Sequence, residues 1–346
     1  MGKCLVTKLD GSSNNSNLLR IGEMRIKFNK VSNPTATTQC VILEVSRDTK
    51  LEIIGDGYFT DSSLLQNKGK NLTILANTFT GVYVSNNDIE LAILDKYAIK
   101  NISVKNNYDG SASFDIDSLK YSTSLAEFYV NGMPIYGDIS AFKNLTAFYG
   151  FGASYTQISG DIANLKNLTN LTDLRLSNTN ISGDIAAFKN LTNLTVLSSL
   201  FTQISGDIAN LKNLTNLTDL HLSNTNISGD IAAFKNLTKI ANMSFKNVAG
   251  LTGDMGTLPD NILFFTGGSG KFTWTKSSRA YILAVENARC DKIDDMLNDM
   301  ATKTAKFAGN EIWYKRISLI GSRTSVSDAA IQTLQSKGYT VSIATE

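Results

Sequence analysis

The sequence predicts an elongated solenoid of stacked coils with short 3₁₀ returns, preceded by a β-rich, sandwich-like N-terminal domain and closed by a β/α cap. Three observations predict it. Gly-Asp followed by Ile or Met recurs at Gly137, Gly160, Gly183, Gly206 and Gly229, at intervals of 23 residues. It returns at Gly253 after one inserted residue, and Phe114-Asp-Ile116 is a degenerate forerunner. Thr156–Thr192 and Thr202–Thr238 differ only at Arg175 against His221, which marks a 46-residue duplication of two coils. On both sides of this array the hydropathy pattern changes, giving expected units of 1–105, 106–275 and 276–346.

In the first unit, Leu18–Phe28, Cys40–Ile54, Asn71–Leu75, Gly81–Ser85 and Ile89–Leu94 are short, β-branched, alternating runs. Clusters such as Asp56-Gly57 and Asn86-Asn87-Asp88 separate them as turns. The later strands are placed to run into the first coils. Asp10-Gly-Ser-Ser-Asn14-Asn-Ser16 imitates the start of a calcium loop, but Ile21 stands where the closing Glu belongs, so it reads as a surface loop.

One coil of the second unit reads Leu171-Thr-Asp-Leu174-Arg-Leu176-Ser-Asn-Thr179-Asn-Ile181-Ser-Gly-Asp-Ile185-Ala-Ala-Phe188-Lys-Asn-Leu191. Alternation around Leu174 and Leu176 predicts a short strand. Ile185, Phe188 and Leu191 recur every three residues, the period of a 3₁₀ turn. The coil is therefore expected to run strand, turn, narrow helical return. Leu197 and Leu200 surround Ser198 and Ser199 in another coil, which predicts a locally irregular strand there. Asp138, Asp161, Asp184, Asp207, Asp230 and Asp254 form one column. Carboxylates on coils ~4.8 Å apart repel, so the column reads as a set of caps on the 3₁₀ returns, each accepting backbone N–H groups, in preference to a calcium ladder. Asn144, Asn167, Asn190 and Asn213 open formal glycosylation sequons, read here as turn residues.

The pattern resembles the leucine-rich repeat, L-x-x-L-x-L-x-x-N-x-L, and Ile181-Ser-Gly-Asp-Ile185 is similar to the L-x-G-x-I-P signature of plant-type repeats, over roughly Phe114 to Trp274. The usual inward asparagine is replaced by Thr156, Thr179, Thr202 and Thr225, and the proline is missing. The resemblance implies a concave sheet whose outward residues bind, the competing expectation being an array that serves only as a stiff spacer. Those singled out are Glu127, Tyr129, Asn131, Asp173, Arg175, Asp219, His221 and Lys246.

In the third unit Tyr281–Val285 reads as a strand, Asp291–Lys306 as an amphipathic helix with Ile293, Met296, Leu297 and Met300 on one face, and Ile312–Ile320 as a strand. Ser327 is placed to N-cap a helix that Gly338 ends, and Tyr339–Ala344 returns as a strand. Two β-α coils and a terminal strand would close the open end of the array.

Composition narrows the functions. Lys+Arg 33 against Asp+Glu 31 leaves +2, no field for nucleic acid or anionic membrane. No run approaches the ~20 apolar residues of a membrane span. One histidine and the dispersed Cys4, Cys40 and Cys290 supply no metal-ligand spacing, so no metal or cofactor is expected, and the cysteines read as free thiols of a reducing compartment. The apolar run at the start stops at Val6, too soon for a secretion signal, and Val6 also holds the Ser/Thr position of a myristoylation motif. Asp219, His221, Ser198 and Ser244 could suggest a Ser-His-Asp triad, but the equivalent coil carries Arg175 and an open sheet has no pocket, so catalysis is not expected.

Met1-Gly-Lys-Cys-Leu-Val-Thr-Lys-Leu-Asp10, with Asn17-Leu-Leu-Arg-Ile-Gly-Glu-Met-Arg-Ile-Lys27, is similar to the start of virion proteins of crAss-like phages of gut Bacteroidales. That resemblance implies a non-enzymatic head- or tail-fibre protein, located in the virion and homo-oligomeric. Its residues 1–105 would dock on a capsid or tail protein, and its repeats would face a host-surface glycan or protein. The competing expectation is a bacterial adhesin or protein-binding scaffold unconnected with a particle.

Overall fold

The computed structural model describes residues 23–28, 41–55, 71–77, 80–82, 89–103, 112–305 and 315–345. The Met1–Thr7 opening, the Asp10 loop, Cys4 and Cys40 lie outside them, as do most of the residues that carry the virion resemblance.

Among the described residues eight strands precede the first complete coil: β1 (Met24–Phe28), β2 (Val41–Val45), β3 (Thr49–Gly55), β4 (Asn71–Ile74), β5 (Thr80–Val82), β6 (Ile89–Ile93), β7 (Ile99–Ser103) and β8 (Ala112–Ser113). Five of them form an antiparallel sheet in the order β4-β3-β6-β1-β8. The other three pair antiparallel as β5-β2-β7, and β7 then pairs parallel with the first coil strand, Asn101 opposite Glu127. The N-terminal strands are thus continuous with the solenoid, and their aliphatics Met24, Ile26, Leu43 and Ile102 belong to the same buried core as Phe128 and Leu174. Glu44 is tied at this seam by Lys100 Nζ at 2.7 Å and Asn101 Nδ2 at 2.5 Å.

Each coil contains two strands, not the single strand expected from the sequence. The front strands are Glu127–Tyr129, Gly150–Gly152, Asp173–Arg175, Val196–Ser198, Asp219–His221, Asn242–Ser244 and Phe264–Thr266, all parallel and in register. The side strands are Tyr136–Asp138, Gln157–Asp161, Asn180–Asp184, Gln203–Asp207, Asn226–Asp230, Gly250–Asp254 and Lys271–Thr273. Asn-Ile-Ser-Gly-Asp has poor intrinsic β propensity. It is extended because neighbouring coils offer ladder partners on both sides, a tertiary gain that outweighs local preference. The 3₁₀ turns follow, from Ile139–Phe142 to Ile231–Phe234, as the three-residue period requires.

The Gly-Asp pairs lock these layers together. Each Asp accepts from the backbone N–H two residues on: Ser140 onto Asp138, Ala163 onto Asp161, Ala186 onto Asp184, Ala209 onto Asp207, Ala232 onto Asp230 and Gly256 onto Asp254, all at 2.7–2.8 Å. Six of the adjoining glycines take φ between +104° and +121°, where a side chain is strained. They are also where the previous coil's aspartate lies: a Cβ on Gly160 would fall 2.7 Å from Asp138 Oδ2, and the same overlap recurs at Gly183, Gly206 and Gly229. Gly and Asp therefore recur as a pair because one vacates the space the other uses.

Inside the coil Ile181, Ile185, Phe188, Leu191, Leu174 and Leu176 are fully buried, each worth roughly 1.5–3 kcal/mol relative to exposure. Thr156, Thr179, Thr202 and Thr225 are buried too, each hydroxyl donating to the carbonyl three residues back, at 2.6–2.8 Å. The Val196–Ser198 strand is regular, contrary to the expectation of irregularity. Its neighbours hold the register, so Ser199 takes the inward position of Leu176 and Leu222, with a fully buried hydroxyl that has no hydrogen-bond partner among the described residues.

At the far end Arg279 is buried and its guanidinium donates to the carbonyls of Leu258 and Pro259 at 3.0 and 2.7 Å, fixing the loop where the repeat stops. The cap has strands Ala284–Cys290, Arg316–Ile320 and Thr340–Ala344, parallel, with helices α1 (Ile293–Ala301) and α2 (Asp328–Ser336). The first strand starts later than expected and runs on to Cys290, through an irregularity at Asn287, where φ is +51°. Helix α1 is shorter than the Asp291–Lys306 expectation. Ser327 sits at the start of α2 but donates to Asp294 Oδ1 at 2.6 Å instead of capping the helix. Cys290 is a buried free thiol, which burial pushes up to about 11. No helix among the described residues is long and apolar enough to cross a membrane.

Candidate binding face on the front sheet

Residues flanking the inward Phe128, Phe151, Leu174, Leu197 and Leu220 point away from the core along the front sheet. The first three coils build the densest cluster. Gly150 and Gly152 leave the middle strand bare, and the Tyr129 ring lies across it: a Cβ on either glycine would fall 2.5 Å from a Tyr129 atom. Both glycines are buried beneath the ring. The ring lies toward the Asp173 carboxylate, whose two oxygens accept from Arg175 Nε at 2.8 and 3.1 Å. Beside it the Tyr149 phenol lies near the Glu127 carboxylate. Burial, first, and the neighbouring carboxylates hold both phenols up at about 12, so both are donors at neutral pH. Asn131 Oδ1 accepts the Ser154 N–H at 2.8 Å, joining two coils at the rim of the cluster.

Five of the eight sequence-selected residues, Glu127, Tyr129, Asn131, Asp173 and Arg175, are brought together here. Asp219, His221 and Lys246 lie further along. Asp219 accepts from Asn242 Nδ2 and Thr218 Oγ1, both at 2.7 Å. Burial, outweighing the attraction of Asp219, lowers His221 from its ordinary value, and the Arg175 charge lowers it further. Lys246 is exposed. Tyr149 did not stand out in the sequence, although it is the one aromatic in a column otherwise filled by Thr172, Thr195, Thr218 and Ala241.

The serines near His221 are engaged with each other: Ser198 Oγ is 2.9 Å from Ser177 Oγ, and Ser244 Oγ 2.8 Å from Ser223 Oγ. With Asp219 committed to Asn242 and Thr218, a Ser-His-Asp relay is not assembled. Among the described residues no three His, Cys, Asp or Glu side chains converge as a metal site.

Parallel strands in register, a 23-residue coil and a continuous aliphatic spine define a strand-rich leucine-rich repeat solenoid. No protein-family model matches the chain, and no curated protein matches it. Among solved structures it is similar to an internalin, InlF, from Listeria monocytogenes, with 22% identity over 73% of this chain and 71% of that one, and a TM-score of 0.52. It is also similar to PEPR1 in its complex with AtPEP1, with 15% identity over 72% of this chain and a TM-score of 0.57. This chain spans about a third of that protein's length, 35%. These likenesses concern the fold.

Proposed function

We propose that this is a non-enzymatic recognition protein whose front sheet binds an extended partner, with the Tyr129–Asp173–Arg175 cluster as its anchor. The observation that carries this reading is Tyr129 laid over the two bare glycines beside an ion pair. Tyrosine and arginine are the side chains that most often dominate recognition. Leucine-rich repeat folds offer such surfaces to protein and peptide partners, and PEPR1 was solved in complex with AtPEP1.

In its finer form the proposal is a phage head or tail fibre. The opening residues, through their likeness to virion proteins, support an N-terminal region docked on a capsid or tail protein, with the repeats of a homo-oligomer turned toward a host-surface protein or glycan. The fold of the Listeria internalin favours the alternative, a bacterial adhesin or scaffold.

The test of the face uses the full chain, because β7 pairs with the first coil and cutting between them would strip a strand. Binding of full-length protein to intact Bacteroidales cells, measured by flow cytometry, should fall about tenfold or more in Y129A/R175A; unchanged binding refutes the anchor. Mass spectrometry of purified virions then separates the two finer forms: absence of the chain from particles rules out the fibre.

A further inference from the structure

A second feature lies beyond the front strands, at the turn that leads from each into its side strand. One residue per coil is held there in left-handed backbone: Tyr155 at φ +59°, Asn178 at +56°, Phe201 at +54°, Asn224 at +56° and Asn247 at +59°. Asparagine tolerates this region, whereas bulky side chains are disfavoured in it. Yet alternate coils carry aromatics, and those aromatics are 67% exposed at Tyr155 and 57% at Phe201. Neither core packing nor backbone preference accounts for them. They occupy equivalent positions two coils apart, roughly 9.6 Å at the strand spacing of a parallel sheet, and their near-identical φ directs both side chains the same way from the rim.

Between them sits Asn178, whose side-chain amide makes no hydrogen bond to any described residue, whereas Asn224 is taken by Asn247 Nδ2 at 2.8 Å. Ser154 and Ser177 flank the row on the sheet side, joined by the half-buried Leu200, and among the described residues the rim positions between the two rings, Ser177, Asn178 and Thr179, carry no charge. The order is ring, free amide, ring, on an open and uncharged edge.

We propose that this rim is a docking site for a neutral, extended β-linked glycan, with alternate sugars stacking on Tyr155 and Phe201 and the sugar between them hydrogen-bonded by Asn178. An apolar peptide anchor requires a desolvated pocket, which an exposed edge lacks. A pyranose chain presents apolar ring faces and hydroxyl edges in alternation, and an exposed ring flanked by amides and hydroxyls satisfies both. The site goes beyond the Tyr129–Arg175 anchor and is independent of it.

The repeat itself supplies the test variant, Y155N/F201N, which installs the residue the other coils carry. Full-length protein is titrated calorimetrically with hexasaccharides of β-1,4-linked glucose, mannose and N-acetylglucosamine and of β-1,3-linked glucose. At least one should bind and be weakened about tenfold or more in Y155N/F201N, while the thermal midpoint stays level or rises. Y129A/R175A should leave that binding unchanged. Failure of all four sugars to bind at millimolar concentration overturns the rim site, as does binding that Y155N/F201N leaves intact. Loss of sugar binding only in Y129A/R175A transfers it to the front sheet and overturns the rim alone. Capture of a leucine- and proline-rich dodecapeptide, abolished by Y155N/F201N with no sugar bound, reassigns the rim to a peptide and overturns the glycan.

Discussion

The two sheets of the solenoid are built from the same repeat and obey different rules. Along the side sheet the Ile-Ser-Gly-Asp of Ile181–Asp184 stands unchanged at Ile158, Ile204 and Ile227, and its Gly-Asp also at Gly137 and Gly253, while along the front sheet equivalent positions hold Glu127, Gly150, Asp173, Val196 and Asp219. The side sheet is fixed by a mechanical interlock: each aspartate must reach its own 3₁₀ turn through space that the next coil's glycine leaves empty. Front residues on either side of the inward residue, from Glu127 to Ser244, are reached by solvent, apart from Gly150 and Gly152 under the Tyr129 ring, and vary from coil to coil. In a near-perfect repeat, sameness marks what the stack needs to stand, and departure from sameness marks where a partner could be read.

The largest expected effect tests the interlock. G206A places a Cβ in the left-handed region and against the Asp184 carboxylate; the backbone strain of about 1–2 kcal/mol and the damaged cap of about 1 kcal/mol predict a loss of about 2–3 kcal/mol in urea or thermal unfolding. D184A alone should cost about 1 kcal/mol. The double variant D184A/G206A should cost less than the sum, because without the carboxylate the added methyl meets open space. Strict additivity would show that the two residues recur together for some other reason. R175A on the front sheet should stay within about 0.5 kcal/mol of the parent, and a larger loss would erase the contrast between the sheets.

A smaller effect, of opposite sign, is predicted inside the stack. Ser199 is a departure from the repeat that faces inward, with a buried hydroxyl that finds no partner among the described residues. S199A should raise stability by about 1 kcal/mol by removing the desolvated hydroxyl, whereas S198A, on the outward side of the same strand, should not. Equal responses would place Ser199 on the outer face.

Much of this was legible beforehand, for a physical reason. The 23-residue spacing, the aliphatic columns and the turn chemistry of Gly-Asp are local properties that the repeat restates five times, so stacking could be deduced from period alone. The second strand was not legible, because Asn180–Asp184 is extended only when its neighbours are present. Nor was the regularity of Val196–Ser198, since register there is imposed by Asp173–Arg175 and Asp219–His221. Of the binding cluster, the charged and aromatic members could be picked by residue type. Tyr149 could not, as it precedes its strand and joins the cluster only through Glu127. The rim aromatics were silent as well, because left-handed φ is a property of the turn and not of tyrosine or phenylalanine.

The finest test uses the single position at which the duplicated coils differ. His221 is held below its ordinary value by burial, so in the folded protein the neutral imidazole is favoured more than in the unfolded chain. Because the folded value is the lower one, this contribution is present above the unfolded value and is lost as pH falls through the folded one. Stability should therefore decline slightly on acidification below about 6.5. H221R rebuilds on Asp219 the pair that Arg175 makes with Asp173 and cannot titrate in that range. The difference between parent and H221R midpoints should thus widen in favour of H221R as pH drops from 7 toward 5. A difference that stays flat would mean that His221 is as well solvated folded as unfolded, and that the two coils are equivalent at the one place their sequences part.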